Sequence, residues 1–109
     1  MTAIKEYIDE KGRIPFAKWF GRLNAQAAAK IATALLRIEH DNFSNTRSIG
    51  SGVYEYKIDY GPGYRVYFGK DGKNLVILLG GGTKKRQQND IGKAKELWKN
   101  YKKRKKKER

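Results

Sequence analysis

The pattern that most constrains this chain begins just after Gly52, where the hydrophobic period becomes two. Tyr54, Tyr56, Ile58 and Tyr60 alternate with Glu55, Lys57 and Asp59, as side chains do on a strand with one face on a core. Gly61-Pro62-Gly63 supplies a turn. Tyr64 to Gly69 reads as a second strand, with Tyr64, Val66 and Phe68 on one side and Arg65 and Tyr67 on the other. Asp71-Gly72 is a hairpin signal. Leu75 to Leu79 is apolar without a break, the mark of a central strand buried on both faces. Three strands joined by tight turns predict an antiparallel meander, closed by Gly80-Gly81-Gly82.

Helical periods flank the meander. Pro15 suits the first position of a helix, and Phe16, Trp19, Phe20 and Leu23 follow at helical spacing, with Gly21 keeping the element short. Asn24 is a capping residue for a second helix, whose apolar stripe is Ala27, Ile31, Ala34, Leu35 and Ile38. Asp41 to Asn45 ends it in polar turn residues. Short connections predict an antiparallel pair of helices. A third helix is expected from Gln87, with Ile91, Ala94, Trp98 and Tyr101 inward. The first ten residues can add a short strand. The expected class is α+β, in the order β-α-α-β-β-β-α, with helices on one face of a small antiparallel sheet and the other face open. One domain is expected over 1–101, followed by a basic tail over 102–109.

Charge narrows the function. There are 25 Lys and Arg against 11 Asp and Glu, a net +14. Lys99 to Arg109 carries +7 of it, so the body is basic even without its end. That balance favours a polyanionic partner, nucleic acid above all. The chain has no cysteine, which removes disulfides and thiol nucleophiles and suits a reducing compartment. No apolar run approaches a membrane span, and Met1 to Glu10 lacks the hydrophobic region of a signal peptide. A cytoplasmic protein with no membrane partner is expected.

The strand phases put Lys57 and Arg65 on the face opposite the tyrosine and valine rows, with Tyr67 beside them. Lys84, Lys85 and Arg86 follow the glycines, and Asp90 begins the last helix. One face thus gathers cations, a phenol and a carboxylate. RNA cleavage by the ribose 2′-hydroxyl needs a proton acceptor, a proton donor and cations for the phosphate oxygens. Arg65 offers a planar fork for two such oxygens, and Lys57, crowded by other cations, can do proton work. His40, at a helix end, reads as a dipole partner rather than a catalyst. Carboxylates do not cluster at metal-ligand spacing, so neither metal nor cofactor is expected. The triple glycine lacks Walker spacing and reads as a turn that lets an RNA backbone approach closely. Tyr54, Tyr56 and Tyr60 share a phase with Val66 and Phe68, so they read as core rather than as base-stacking platforms.

The run from Gly52 to Phe68, with Leu78-Leu79-Gly80-Gly81-Gly82-Thr83-Lys84, Gln87-Gln88-Asn89-Asp90-Ile91 and Ala94-Lys95-Glu96-Leu97-Trp98, resembles the core of RelE/HigB-type killer proteins of toxin–antitoxin pairs. The resemblance covers about residues 3–101. It implies a microbial-ribonuclease-like fold and metal-independent cleavage of mRNA, in many members on the translating ribosome. It also implies a cognate antitoxin, often a helix-turn-helix protein of HigA type, through which alone operator DNA would be bound. Arg65 then matches the family's phosphate-stabilising arginine, Lys57 a catalytic strand lysine and Lys84 a basic residue after the last strand. Asp90 stands where some members use a tyrosine, and Glu55 where some use a lysine. Lys57, Arg65, Lys84 and Asp90 are therefore the candidate catalytic residues, and Tyr67, Lys85, Arg86 and Lys93 the candidate RNA-binding ones. Two other readings stay open: a non-catalytic RNA or ribosome binder of the same fold, and a DNA binder acting through the basic last helix.

Overall fold

A computed structural model describes residues 1–108. The order is β1 (Ala3–Glu6), α1 (Pro15–Phe20), α2 (Ala25–Glu39), β2 (Thr46–Gly50), β3 (Val53–Ile58), β4 (Tyr64–Lys70), β5 (Leu75–Thr83) and α3 (Gln87–Lys107), with a 3₁₀ turn at Lys84–Arg86 before α3. The sheet has five strands in the order β1-β5-β4-β3-β2. The α+β class and the β3-β4-β5 meander agree with the sequence reading.

Three expectations about the strands need correction. First, the sheet is mixed, because β1 pairs in parallel with β5, Ala3 opposite Leu75 and Glu6 opposite Leu78. Second, β2 is an additional strand. Its Thr-Arg-Ser-Ile-Gly is too short and polar to announce itself, and it forms because Ser51-Gly52 makes a tight hairpin turn onto β3. Ser51 and Gly52 both have positive φ, 59° and 82°, as a type I′ turn requires. Third, the triple glycine does not close β5 but lies inside it, opposite Tyr67, Val66 and Arg65.

The helical boundaries follow local chemistry. Pro15 opens α1 and Gly21 ends it. The Asn24 side chain accepts a hydrogen bond from the Ala27 N–H at 2.9 Å, capping α2. Four of the five predicted stripe residues of α2, namely Ala27, Ile31, Ala34 and Ile38, are fully buried. Rather than forming a hairpin with α2, α1 packs chiefly on β5, where a methyl on Gly81 would overlap the Trp19 ring. Phe16, Ile31, Ala34 and Ile38 meet Tyr56, Ile58, Val66, Phe68, Val76 and Leu78 in one apolar cluster.

The opposite face of the sheet, expected to be open, is covered. Helix α3 crosses it, and Ala94 and Trp98 join Tyr7, Val53, Tyr67, Ile77 and Leu79 in a second apolar cluster. The continuous apolar run of β5 is thereby buried on both sides, as read. What admits the helix is the absence of side chains beneath it: a methyl on Gly69 would overlap the Trp98 ring, and one on Gly82 the Asp90 carboxylate. The close approach expected of an RNA backbone at these glycines is made by the protein's own Trp19 and Asp90. The stretch expected as a tail continues α3 to Lys107. Arg104 Nη2 donates to the Ile8 carbonyl at 2.6 Å, and Lys105 pairs with Asp71.

Candidate functional site

The site is built on two cross-strand rows at one end of the α3-covered face. Arg47, Glu55 and Tyr67 are opposed across β2, β3 and β4, and Lys57, Arg65 and Gly82 across β3, β4 and β5. Period-two alternation places all of these side chains on one side, and the start of α3 lies over them. The predicted neighbours Lys57 and Arg65 are therefore directly opposite one another. Lys84 joins them: a Cβ on Gly63 would lie 2.8 Å from Arg65 Nη1 and 3.4 Å from Lys84 Cβ. Strand pairing thus sets Lys57 opposite Arg65, and the Gly63 turn brings the Arg65 guanidinium near the base of the Lys84 side chain.

Their exposure differs from the expectation. Lys57, Lys84, Lys85, Arg86 and Lys93 face solvent. Arg65 is only 4% exposed and Tyr67 only 1%, so neither presents an open surface to RNA as predicted. The cause is the first part of α3, which seats Asp90 on Gly82 and brings Gln87 over Glu55.

Glu55 organises this corner. It is 1% exposed, and a charge so deep requires partners. Arg47 Nε donates to its Oε1 and Gln87 Nε2 to its Oε2, both at 2.9 Å. Arg65 Nε stands 3.9 Å from Oε2. Burial opposes its ionisation, but the hydrogen bonds from Arg47 and Gln87 and the Arg47 charge outweigh that and hold its pKa below the ordinary value. The rest of the Arg65 guanidinium is aimed along the strand, with Nη1 donating to the Gly63 carbonyl at 2.6 Å.

Two further groups are held in unusual states. Burial raises the pKa of Asp90, against the opposing charges of Arg86 and Lys93. Burial, followed by the charge of Glu55, raises the Tyr67 phenol well above its ordinary range. Arg65 Nε, the Tyr67 hydroxyl and Asp90 Oδ2 are buried without a hydrogen-bond partner among the described residues. Buried polar groups are ordinarily satisfied, and two of these, on Tyr67 and Arg65, lie beside the Glu55 carboxylate, whose charge acts on both.

The arrangement can hold an anion at its rim. Lys57 and Lys84 are exposed point charges, and Arg65 adds a buried charge on the strand paired with Lys57. Asp90 keeps a proton more readily than an ordinary carboxyl, which fits a proton donor. Strand phase and motif give Arg47 and Gln87 no role. Arg47 sits on the strand that the sequence does not announce, and the Gln87–Glu55 bond depends on where α3 lands. Glu55 reads in sequence only as an acid among cations, which is itself the signal of a buried counter-charge. His40 caps the end of α2, its Nδ1 2.9 Å from the Leu36 carbonyl. Tyr56 is fully buried and Tyr54 stacks on Phe68, in keeping with core roles.

The chain is similar to known proteins over most of its length. The family model described as phage-derived protein, Gp49-like (DUF891), matches residues 18–106. An uncharacterized protein of Haemophilus influenzae (strain Rd) is 42% identical over 91 residues, 83% of this chain and 92% of that protein. The span of the family model takes in β2 to β5 and the start of α3, which carry the corner.

Proposed function

The chain belongs to the phage-derived Gp49-like family, a toxin-like family related to the RelE addiction-module killers, and on that premise we propose that it is the toxin of a type II toxin–antitoxin pair that cleaves mRNA without a metal, on the translating ribosome. The observation that carries this reading is Lys57 paired across the strands with Arg65, and Arg65 beside the base of Lys84 at Gly63, on a body that is basic even without its last residues. Lys57 and Lys84 would grip the scissile phosphate. Arg65 would stabilise the charge that develops on its outer oxygens as the ribose 2′-oxygen bonds to phosphorus and the 5′-oxygen leaves. One lysine, entering the step as the neutral amine, would take the 2′-hydroxyl proton, while the other stays charged on the phosphate and Asp90 protonates the departing 5′-oxygen. The finer RelE/HigB assignment and a HigA-like antitoxin partner belong to the same proposal.

The test is inducible expression with mapping of mRNA ends, with and without a translation inhibitor. Growth arrest and translation-dependent ends bearing 2′,3′-cyclic phosphate are expected. The Lys57→Ala/Lys84→Ala double variant changes only exposed positions, so it should fold, and cleavage should fall at least about 100-fold. Undiminished cleavage by that folded variant overturns the catalytic assignment.

One observation favours a second reading. Arg65 is buried against Glu55, which suits a non-catalytic RNA or ribosome binder whose corner is structural. Translation arrest with intact mRNA would select it.

A further inference from the structure

A second basic feature lies outside that corner. Helix α3 begins at the corner, where Gln87 bonds to Glu55, and runs along the sheet to the other end of β3, where the Trp98 indole lies under Gly52. On its flank toward the β2–β3 turn stand Lys95, Lys99 and Lys102, which line one open groove with Ser51, Gly52 and Glu96. A Cβ on Gly50 would lie 3.4 Å from Lys95 Nζ. The spacing of four and three residues keeps the three lysines on one side of the helix.

None of the three has a carboxylate within ion-pair distance among the described residues. Like charges at this spacing repel and weaken a helix, so the row costs stability without a return inside the molecule. An external polyanion would supply the return. The groove has no apolar or aromatic anchor of the kind that concentrates affinity in protein interfaces. Its walls are lysines, a serine, a glycine and one glutamate. Flexible ammonium groups in a row, with a side-chain-poor turn opposite, suit a sugar–phosphate backbone, which needs charge rather than shape. The row starts about 12 Å along the helix axis from Gln87, at about 1.5 Å per residue, so one strand can reach both places.

We propose that Lys95, Lys99 and Lys102, with the Ser51-Gly52 turn facing them, form a track for the backbone of single-stranded RNA that leads away from the Lys57–Arg65–Lys84 corner. The inference rests on the RNA-directed reading above but not on catalysis. The track contributes affinity and fixes the direction of the strand, and it takes no part in bond breaking.

The test is binding of the full chain to a single-stranded RNA oligonucleotide carrying 2′-O-methyl groups, which cannot be cut by 2′-hydroxyl attack, measured across a salt series. The Lys95→Gln/Lys99→Gln/Lys102→Gln variant keeps residues of similar helix propensity, and circular dichroism checks its fold. Each ammonium withdrawn from a phosphate lowers the slope of log K against log salt by about 0.7, so the slope should fall by about 2. A Lys18→Gln/Arg22→Gln/Arg37→Gln variant removes equal charge from the opposite helical layer and should leave the slope unchanged. An unchanged slope in the first variant, an equal fall in both, or displacement of RNA by poly-glutamate at matched charge overturns the track. On cleavable RNA, the first variant should raise KM and leave kcat alone. Because the slope is read on uncleavable RNA, loss of the nuclease reading would leave this result standing, and the reverse.

Discussion

Under α1 and α2 the sheet is sealed by hydrocarbon and aromatic rings alone, from Phe16 and Ile31 to Val66 and Phe68. Under α3 only half of the contact is of that kind, centred on Trp98. The other half is a charge network in which buried Glu55 and Arg65 are joined by Gln87 and by the exposed Arg47, with Tyr67 and Asp90 at its side. Apolar contact is non-directional and adds up with area. A buried ion pair returns little net stability against an apolar substitute and is punishing when broken. The difference teaches that the α1–α2 layer makes the domain stable, whereas the start of α3 holds particular groups in particular charge states. The glycines mark the same division, since Gly81 admits a ring on one face and Gly82 a carboxylate on the other.

Five substitutions press on this contrast, and the largest effect should come from the apolar face. Phe68→Ala removes a fully buried ring and should cost about 3–5 kcal/mol in urea unfolding. A cost under about 1 kcal/mol, well below that of an ordinary buried ring, would mean that this face is not the stabilising one. Glu55→Ala leaves Arg65 buried without its counter-charge and should cost about 3 kcal/mol. Glu55→Met, which invites the same corner to become apolar, tests whether the network is structural. If Glu55→Met restores stability while the mRNA cleavage proposed above is lost, the charge is there for function. Asn24→Ala removes the cap of α2 and should cost about 1 kcal/mol, with no effect on RNA binding.

The smallest effect should be a gain that depends on pH. The pKa of Asp90 is raised by burial, so its ionisation in the folded state costs stability. That cost is absent below its unfolded value, near 3.8, and grows as pH rises through the raised folded value. Asp90→Asn should therefore raise Tm at about pH 7 and leave it unchanged at about pH 3, on either side of that titration. Glu55 opposes this trend. With a lowered folded pKa, it contributes stability above its unfolded value of 4.5 and loses it as pH falls through the folded one. A uniform rise of Tm at both pH values in Asp90→Asn would show that burial of the charge is not the cause.

The meander was readable because period-two alternation, Gly61-Pro62-Gly63 and Asp71-Gly72 all carry their own geometry. So were the α2 cap and stripe, and the juxtaposition of Lys57 with Arg65, which needs only strand phase and one turn. What strand phase cannot report is whether the polar side of a strand meets water or a helix. Arg65 and Tyr67 have the same phase whether α3 lies above them or not. The deciding residues are Gly69 and Gly82, and a glycine in sequence signals a turn as readily as a seat for a tryptophan or a carboxylate. Likewise β2 is held by its partner and its hairpin rather than by its own composition, so nothing in Thr46 to Gly50 announces it.

The parallel pairing of β1 with β5 carries a consequence for the order in which the molecule can assemble. Its first strand has no place to go until residues near Leu75 exist, and at about 5–20 residues per second of synthesis that is a delay of several seconds. Through that interval the emerging polypeptide holds neither its edge strand nor the helix that closes the cationic corner. A newly made copy thus passes through an unfinished stage, with the cationic corner uncovered until α3 has folded onto the sheet.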